Sequence, residues 1–348
     1  MAINTFIVPV LMWIDIRVCW LISWSGLPNW PIIRGNRRRV RLWGRSVTIG
    51  LGLGLSRFPF SNAKSYWQWV ALCEASKVDS IWQTDRLISK DPMLECVTTM
   101  AALAGATQRI RFGMNVASIA LRDPLLTAKQ LATVDVLSQG RVLPAFGLGS
   151  ALSMDYAATG TSTKRRGKRA NEALELVHRL WHEEDVCFDG EFFHYENATI
   201  SPRPVNQSIP LWIGGSSEVA MRRTAQYGTG WLGGIDTPAQ TAVMVSGIKQ
   251  ALLKTGRHIE EDHYGATFSF RFGHENDDPV QQAMKGLAKR VEVPGQYMVA
   301  GSIDAIIRRI NEYIDAGCSK FVMLPIVRDE TEMMAQTRLF IDEILPEF

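Results

Sequence analysis

The sequence predicts an α/β protein of the (β/α)8 TIM-barrel class with loop insertions. Short apolar runs of strand length alternate with helical patterns from about residue 47 onward, which is typical of βα units around a parallel sheet. The pattern contains eight strands and about eight helices, and 348 residues suit one large barrel with additional segments. A doubly wound open sheet is the alternative. No G-x-G-x-x-G motif follows a strand in the setting that a dinucleotide site requires.

The predicted strands follow one another at the spacing of βα units. In the first strand, Gly50, Gly52 and Gly54 interrupt the apolar run, which fits either a crowded barrel interior or a ligand above the strand. The loops after barrel strands carry catalytic and binding groups. The predicted strands span residues 47–55, 78–82, 109–116, 142–146, 211–213, 230–232, 267–272 and 320–325.

Two longer segments interrupt this alternation. Residues 151–210 form an insertion that contains one strong helix, 169–183, because its apolar residues fall at helical spacing. An Asp-Gly pair at 189–190 then predicts a hairpin turn. The stretch 276–294 is polar, and we expect a mobile loop there.

Positive charge is concentrated at one end of the chain. The net charge is +3, but residues 1–46 hold seven arginines against one acidic residue, Asp15, which gives +6 there and leaves −3 for the rest. The basic balance therefore does not indicate a nucleic-acid partner. Five scattered cysteines without C-x-x-C spacing argue against a disulfide framework or a zinc site and favour a reducing, cytoplasmic location.

Residues 1–46 form an atypical N-terminal extension to a barrel domain at 47–348. The apolar run 6–25 contains Pro9, Asp15 and Arg17, which makes a membrane-spanning helix costly. The arginines follow the apolar run, the reverse of the order in a secretory signal. Tryptophans beside an arginine cluster leave a membrane-surface anchor as one interpretation. We favour a disordered or mis-started extension without membrane contact, because the apolar residues follow neither helical nor strand periodicity clearly.

Two glycine-containing loops are candidate binding sites. The loop after the fourth strand contains Gly147, Gly149 and Ser150, and it either lets the backbone approach a ligand or makes only a tight turn. The stretch 214–217 (GGSS) after the fifth strand is the clearest anion site, since backbone N–H groups at a helix start favour phosphate. Its serines are alternatively N-caps. Three arginines at the insertion helix are either further phosphate ligands or solvated charges: Arg165, Arg166 and Arg169.

Three residues after other strands are candidates for the chemistry itself. Asp85 and Arg86 follow the second strand; they either form an ion pair, or Arg86 polarises an oxygen of substrate or cofactor. His274 is the only histidine at the carboxyl end of a predicted strand, next to Arg271, and is a candidate proton donor. No histidine or cysteine spacing indicates a metal site.

These motifs together resemble the luciferase-like flavin monooxygenase superfamily, which includes bacterial luciferase subunits and oxidoreductases that use the deazaflavin coenzyme F420. Their order and spacing cover about residues 47–348. The resemblance implies a (β/α)8 barrel that binds flavin at the carboxyl ends of its strands. The matching stretches are DSIWQTDRL, IRFGMNVASIALRDPLLTAKQLATVDVLSQGR, VLPAFGLGS, RRGKRANEALELVHRLW, FFHYENATISPRPVNQSIPLWIGGSS and RRTAQYGTGWL.

The resemblance also implies roles for particular residues. A non-prolyl cis peptide under the flavin ring would fall near Asn115-Val116. The loop glycines would matter because a side chain there would occupy the space of the cofactor. The remaining cofactor-binding residues that the resemblance implies are Gly147, Gly149 and Ser150 along the flavin, Gly215, Ser216 and Ser217 at its phosphate, and Arg169 in support.

The sequence departs from the family pattern after the second strand. Many relatives have Asp-His there, whereas this chain has Asp85-Arg86, which puts a histidine-based acid/base step at this position in doubt. It also leaves the choice between FMN and coenzyme F420 open.

The resemblance implies a flavin-dependent oxidoreductase. We expect a monooxygenase that uses reduced FMN and O₂ on a small organic substrate, with the flavin supplied by a separate flavin reductase. The alternatives are hydride transfer from coenzyme F420 and a non-catalytic flavin-binding barrel. We also expect a homo-oligomer and no nucleic-acid partner.

Overall fold

The structure is a computed structural model that describes residues 39–42 and 45–348, with side chains from residue 47 onward. It begins with an antiparallel hairpin, in which Arg39–Leu42 pairs with Arg45–Thr48. The other residues of the predicted N-terminal extension lie outside the described residues. The first predicted strand, 47–55, is divided, because its first two residues pair in the hairpin and only Gly50–Leu55 joins the barrel.

Eight parallel strands form a closed ring. The last strand pairs with the first, with Lys320 opposite Gly50. This closure confirms the predicted (β/α)8 barrel and excludes the open sheet. The strands are β1 (Gly50–Leu55), β2 (Ser80–Gln83), β3 (Arg111–Met114), β4 (Val142–Leu143 and Ala145–Gly147), β5 (Trp212–Gly214), β6 (Gly230–Leu232), β7 (Tyr264–Phe272) and β8 (Lys320–Pro325).

The strands β3 and β4 are interrupted, and the segments around these interruptions form the floor of a cavity described below. The strand β4 is interrupted at Pro144, which has no N–H to donate to a ladder. Beyond β3, the short strand Ala117–Ser118 continues in the same direction and pairs with the second segment of β4. That segment in turn pairs with β5. The ring therefore stays closed although both strands are broken.

Helices follow the strands in alternation. The helix Arg166–His182 packs against the helices Pro124–Ser138 and Glu218–Tyr227. The predicted insertion therefore contains the fourth barrel helix, together with a hairpin formed by Val186–Asp189 and His194–Ala198. Among the described residues no helix has the length and apolar character needed to cross a membrane. The helices are α1 (Ala63–Ala75), α2 (Cys96–Ala106), α3 (Pro124–Ser138), α4 (Met154–Ala158), α5 (Arg166–His182), α6 (Glu218–Tyr227), α7 (Pro238–Thr255), α8 (Asp278–Leu287), α9 (Ile303–Asp315) and α10 (Glu330–Leu339).

The polar stretch 276–294 contains α8, so the prediction of a mobile loop there is wrong. Pro279 stands in the first turn, where its missing N–H costs nothing. The few apolar residues of the helix fall on one face, and Val280 packs with Met298 and Ile326. A narrow apolar stripe in a polar helix is a weak signal in sequence but is enough to dock one helix.

Large side chains fill the barrel interior. The glycines of β1 make room for them, since a Cβ on Gly54 would lie 2.6 Å from Cδ2 of Leu324. Of the two interpretations of these glycines, the crowded interior is confirmed. At the amino end, the buried Lys320 ammonium lies 2.6 Å from Oδ2 of Asp79, which also pairs with Arg111. The interior apolar cluster consists of Trp82, Leu143, Ala145, Trp212, Leu232 and Val322.

Arg271, near the end of β7, ties three elements together. Its guanidinium donates to the carbonyl of Ile326 at 2.8 Å, to Glu332 at 3.0 Å and to Asp277 at 3.1 Å. Arg328 donates to the same Glu332 carboxylate at 2.7 Å. Burial raises the pKa of the Glu332 carboxyl, but the hydrogen bonds from both arginines outweigh burial and lower its pKa to about 2. Arg271 is thus a structural residue rather than a free catalytic group.

Replacing Glu332 with glutamine removes the charge that both arginines share. We expect the free energy of unfolding to fall by about 1–3 kcal/mol near neutral pH. The folded-state pKa lies below the unfolded value, so the stabilisation is present above pH 4.5 and is lost as the pH falls toward 2. The difference between wild type and variant should therefore shrink at about pH 3.

Urea denaturation at about pH 7 and about pH 3 measures this effect. Glu312→Gln is the matched control, because Glu312 forms only a partly exposed helical pair with Arg309. A stability loss for Glu332→Gln that is the same at both pH values would contradict the interpretation.

Candidate active site

A cavity of about 720 Å³ opens at the carboxyl ends of the barrel strands. Active sites of (β/α)8 enzymes lie at this end, because the loops after several strands converge there. We call it the central cavity. Seven residues predicted from the sequence line it: Asp85, Arg86, Asn115, Val116, Gly149, Ser150 and Gly215.

Five predicted site residues do not line the central cavity: Gly147, Arg169, Ser216, Ser217 and His274. His274 is exposed, and its Nδ1 accepts the N–H of Asn276 at 3.1 Å. The reason lies in β7, which continues to Phe272 and pairs there with the extra parallel strand Met298–Gly301, so the strand ends away from the cavity. The structure therefore gives His274 no contact with this site.

The peptide bond between Asn115 and Val116 is cis, at the position that the resemblance implies. The Asn115 backbone N–H donates to the carbonyl of Gln83 at 2.8 Å, and its side-chain Oδ1 accepts from the Thr267 hydroxyl at 3.2 Å. Thr267 comes from β7 and lines the central cavity. Sequence reasoning missed Thr267, because strand alternation does not show which residue meets which loop across a barrel.

The side chain of Val116 lies between two glycines. A Cβ on Gly147 would lie 2.8 Å from Cγ2 of Val116, and a Cβ on Gly214 would lie 2.9 Å from its Cγ1. On Gly149, with φ of +67°, a Cβ would overlap the Ser118 hydroxyl. The glycines are needed to pack side chains of the protein itself. Gly147 is buried against Val116 and does not line the central cavity, so the structure gives it a packing role. Its contact with a cofactor stays a prediction.

Asp85 forms its ion pair with Arg122 and not with Arg86. Its carboxylate receives two hydrogen bonds from the Arg122 guanidinium, at 2.7 and 2.8 Å, and one from the Ser118 backbone N–H at 3.0 Å. Burial lowers the pKa of Arg122, but its hydrogen bonds to Asp85 outweigh burial and raise the pKa above its usual value. Asp85 and Arg122 are 37 positions apart, so no local pattern could identify the pair.

Arg86 remains as a cation of the cavity wall. Its side chain is half-buried and forms no hydrogen bond or ion pair within the described part of the chain. This arrangement agrees with the second interpretation of Arg86, in which it meets an oxygen of substrate or cofactor.

Ligand atoms of Asp85, Glu95 and Cys96 lie within 4.8 Å of one another. The Arg122 guanidinium lies among them, with Nη2 2.7 Å from Asp85, 3.8 Å from Glu95 and 3.5 Å from the Cys96 sulfur. Burial raises the pKa of the Cys96 thiol, which opposes the thiolate form that metals need. The cation of this cluster is therefore the arginine.

The two serines of the predicted anion site have different partners. Ser217 Oγ accepts the Ala220 N–H at 3.2 Å and caps α6, which confirms the N-cap interpretation and leaves its hydroxyl hydrogen available. Ser216 Oγ lies 2.5 Å from Oδ2 of Asp236, which also accepts the Gly234 N–H at 3.1 Å. Burial raises the pKa of the Asp236 carboxyl, although both hydrogen bonds oppose this. Ser216 is thus oriented by a buried acid that sequence reasoning missed.

Two of the three arginines at α5 are engaged elsewhere. Arg165 pairs with Glu191. The Arg169 guanidinium donates to the carbonyl of Ala120 at 3.0 Å and lies 4.4 Å from the ring centre of Phe193. These contacts give Arg169 a structural role and leave Arg166 as the candidate ligand.

Three buried arginine nitrogens have no hydrogen-bond partner among the described residues: Nε of Arg166, Nη2 of Arg203 and Nη2 of Arg223. Arg203 has an ion-pair partner, since its Nη2 lies 3.3 Å from Glu184. Arg223 is 6% exposed, its Nε donates to Asn171 at 2.8 Å, and burial lowers its pKa. Its Nη2 would lie 3.7 Å from a Cβ on Gly167, which places it beside the start of α5. Sequence reasoning missed Arg223. The available signal was its position on the buried stripe of α6 with Ala220 and Thr224.

The sequence of residues 51–320 matches the model of a family described as luciferase-like monooxygenase. The chain belongs to the luciferase-like monooxygenase family. This match confirms the resemblance. The cis peptide at Asn115-Val116 and the cavity at the carboxyl ends of the strands are the parts of the structure that the resemblance implied.

Several known proteins are similar to this luciferase-like chain. A Mycobacterium tuberculosis protein described as uncharacterised is 32% identical over 169 residues, which cover 48% of this chain and 57% of that protein. The chain thus spans little more than half the length of this relative. An F420-dependent glucose-6-phosphate dehydrogenase of Amycolatopsis mediterranei is 25% identical over 80% of this chain and 92% of its own. The structure of a monooxygenase from Streptomyces bottropensis shares the fold, with a TM-score of 0.71, 20% identity and coverage of 86% and 99%.

Gly147→Ala tests the packing of Val116 at the cavity floor. The added methyl group would contact Val116 at 2.8 Å, so we expect the free energy of unfolding to fall by about 1–3 kcal/mol. Val116→Ala in the same chain should recover part of this loss, because it removes the contacting methyl groups. Urea denaturation of the four proteins of this double-mutant cycle measures the coupling.

Gly105→Ala in α2 is the control, since an added Cβ meets nothing there within 4 Å. We expect this helical substitution to leave stability unchanged or to raise it by about 0.5–1 kcal/mol. The packing account fails if Gly147→Ala is as stable as wild type or if the double variant recovers nothing.

Proposed function

We propose that the central cavity binds a flavin-type cofactor and that its phosphate lies beside Gly215, Ser217 and Arg223. The observation that carries this proposal is the pair of buried, unpartnered nitrogens on Arg166 and Arg223. Buried polar atoms without a partner are rare in folded proteins and destabilising. An anionic oxygen within hydrogen-bond distance would satisfy either nitrogen, and guanidinium groups bind phosphate with favourable geometry.

The residues around this position suit a phosphate group. Gly215 lines the central cavity with φ of +112°, so its backbone can approach a ligand without a side chain. Ser217 has a hydroxyl hydrogen to donate, and α6 begins immediately after it with the positive end of its dipole. Ser216 donates to Asp236 instead, so we expect Ser217 to contribute more than Ser216.

A bound reduced flavin would supply electrons, for activation of O₂ in the case of FMN or as a hydride in the case of F420. The chain itself binds, orients and excludes water. Val116, Leu232 and Leu324 line the cavity with apolar groups that keep water from the reacting centre. Asn115 is fixed by Thr267 and holds the segment on which a ring would rest.

The acid/base groups of the cavity favour oxygenation over alcohol oxidation. A hydride-transferring alcohol dehydrogenase needs a base for the hydroxyl proton. Asp85 is held by Arg122, and Asp155 accepts the Ile88 N–H at 2.8 Å. No histidine of the described residues lines the cavity. We therefore propose, first, a monooxygenase that takes reduced FMN from a separate reductase and oxidises a small organic substrate.

The second candidate is hydride transfer from coenzyme F420. It is supported by the similarity to the Amycolatopsis enzyme, whose name states F420 dependence, and by the stretch QLATVDVLSQGR. Because no histidine of the described residues lines the cavity and Asp85 is paired with Arg122, we propose reduction of an unsaturated substrate as the F420-dependent reaction. In either case we propose a homo-oligomer.

Arg223→Met tests the phosphate site. We expect it to weaken FMN binding at least tenfold, about 1.4 kcal/mol, and to change the affinity for riboflavin, which has no phosphate, less than twofold. Arg222→Met is the matched control on the same helix, because Arg222 is exposed and pairs only with Glu218. Titrations followed by flavin fluorescence give the dissociation constants, and circular dichroism verifies the fold.

The outcomes separate the candidates. Weaker binding of FMN and riboflavin alike would remove Arg223 from the phosphate site. Tight binding of F420 with no binding of FMN would exclude the monooxygenase. Cofactor binding without O₂ consumption or hydride transfer would leave a binding protein, and binding of neither cofactor would overturn the proposal.

A further inference from the structure

A second cavity, of about 440 Å³, adjoins the central cavity. We call it the side cavity. It is lined by residues that follow β1, such as Arg57, and residues that end or follow β8, such as Ile326. Ser269, Leu287 and Arg290 line both cavities, so the two spaces are neighbours.

The side cavity lies away from the proposed phosphate position. In the closed ring, β1 is four strands from β5, in either direction, and therefore stands opposite it. Gly215 follows β5, whereas the side cavity is built on β1 and β8. A cofactor whose phosphate binds at Gly215 leaves this opposite half of the combined space for a substrate.

The wall of the central cavity carries three cations, Arg86, Lys289 and Arg290, and Arg290 lines the side cavity as well. None of these three side chains forms a hydrogen bond or an ion pair with another described residue. Lys289 and Arg290 are exposed, and Arg86 is half-buried. Nearby arginines differ, since Arg328 pairs with Glu332 and Arg57 donates to the carbonyls of Val327 and Arg328.

The acidic groups of these walls do not neutralise the three cations. Asp85 is compensated by Arg122. Asp155 accepts a backbone N–H and has no ion pair in the described part of the chain. Asp91 lines the side cavity but lies more than 4 Å from every basic group described. A cavity wall with unpaired cations attracts anions, and clefts strengthen this effect.

The wall of the side cavity is mixed: Ser56 and Gln282 contribute polar groups, and apolar side chains form a patch beside them. Leu287, Met298 and Ile326 line it and belong to the cluster that holds α8 against β8. A ligand that fits both features has an anionic group and a short apolar body. Guanidinium groups match carboxylate, sulfonate and phosphate oxygens.

We propose that the substrate is an organic anion, with its charged group bound by Arg290 together with Arg86 and Lys289 and its apolar body in the side cavity. This inference rests on the proposed function, because it gives the half of the space opposite the cofactor phosphate to the substrate. It specifies the substrate class, which the family does not define.

Calorimetric titration with hexane-1-sulfonate, hexanoate and hexan-1-ol tests this inference, on FMN-loaded and on cofactor-free protein. We expect both anions to bind at least tenfold more tightly than the alcohol, and added salt to weaken only the anions. Arg290→Met should weaken sulfonate binding at least tenfold and change FMN affinity less than twofold. Lys285→Met is the charge-matched control on α8, since Lys285 lines neither cavity.

Equal binding of alcohol and sulfonate, or unchanged sulfonate binding by Arg290→Met, would overturn the inference. Weaker FMN or F420 binding by Arg290→Met would also overturn it, because Arg290 would then serve an anionic group of the cofactor. If wild type binds neither FMN nor F420, the proposed function fails. The titrations of cofactor-free protein then still decide whether Arg290 binds organic anions.

Discussion

The contact of Val116 with Gly147 and Gly214 determines the geometry of the central cavity. It packs the segment after β3 against β4 and β5, at the place where both β3 and β4 are interrupted. Asn115, on the other side of the cis peptide, reaches across to Thr267 on β7. Gly215 follows Gly214 directly, so the proposed phosphate loop is positioned by the same contact. A floor and a binding loop therefore depend on one small side chain between two glycines.

Charge compensation separates the structural ionic groups from the candidate functional ones. Lys320 with Asp79 closes the amino end of the barrel, and Arg271 with Glu332 holds β7 near α10. The ion pair of Asp85 with Arg122 connects the loop after β2 to the segment after β3, beside the central cavity. Each pair contains both signs, which is the usual condition for burying charge. Arg86, Arg223 and Arg290, by contrast, have no ion-pair partner among the described residues, and the cofactor and substrate proposals rest on such cations.

Local features of the fold could be predicted from the sequence, and long-range partners could not. Ser217 caps α6, as the N-cap interpretation of the serines predicted. The cis peptide position followed from family resemblance rather than from physical reasoning. Arg122, the ion-pair partner of Asp85, lies on a loop that is distant in sequence. Gly147 was expected to contact a cofactor because the sequence does not show that Val116 packs against it. The end of β7 at Phe272 was predicted correctly, but His274 failed as a cavity residue because the pattern does not show the extra strand Met298–Gly301 that pairs with the end of β7.

The central claim is that the luciferase-like barrel binds a flavin cofactor in one orientation, with its ring at the floor and its phosphate beside α6. A crystal structure of the protein soaked with FMN tests this most directly. We predict the ring beside Asn115-Val116 and the phosphate within hydrogen-bond distance of Gly215, Ser217 and Arg223. A phosphate bound instead at Arg290, on the β1 and β8 side, or FMN bound outside the central cavity, would contradict the account.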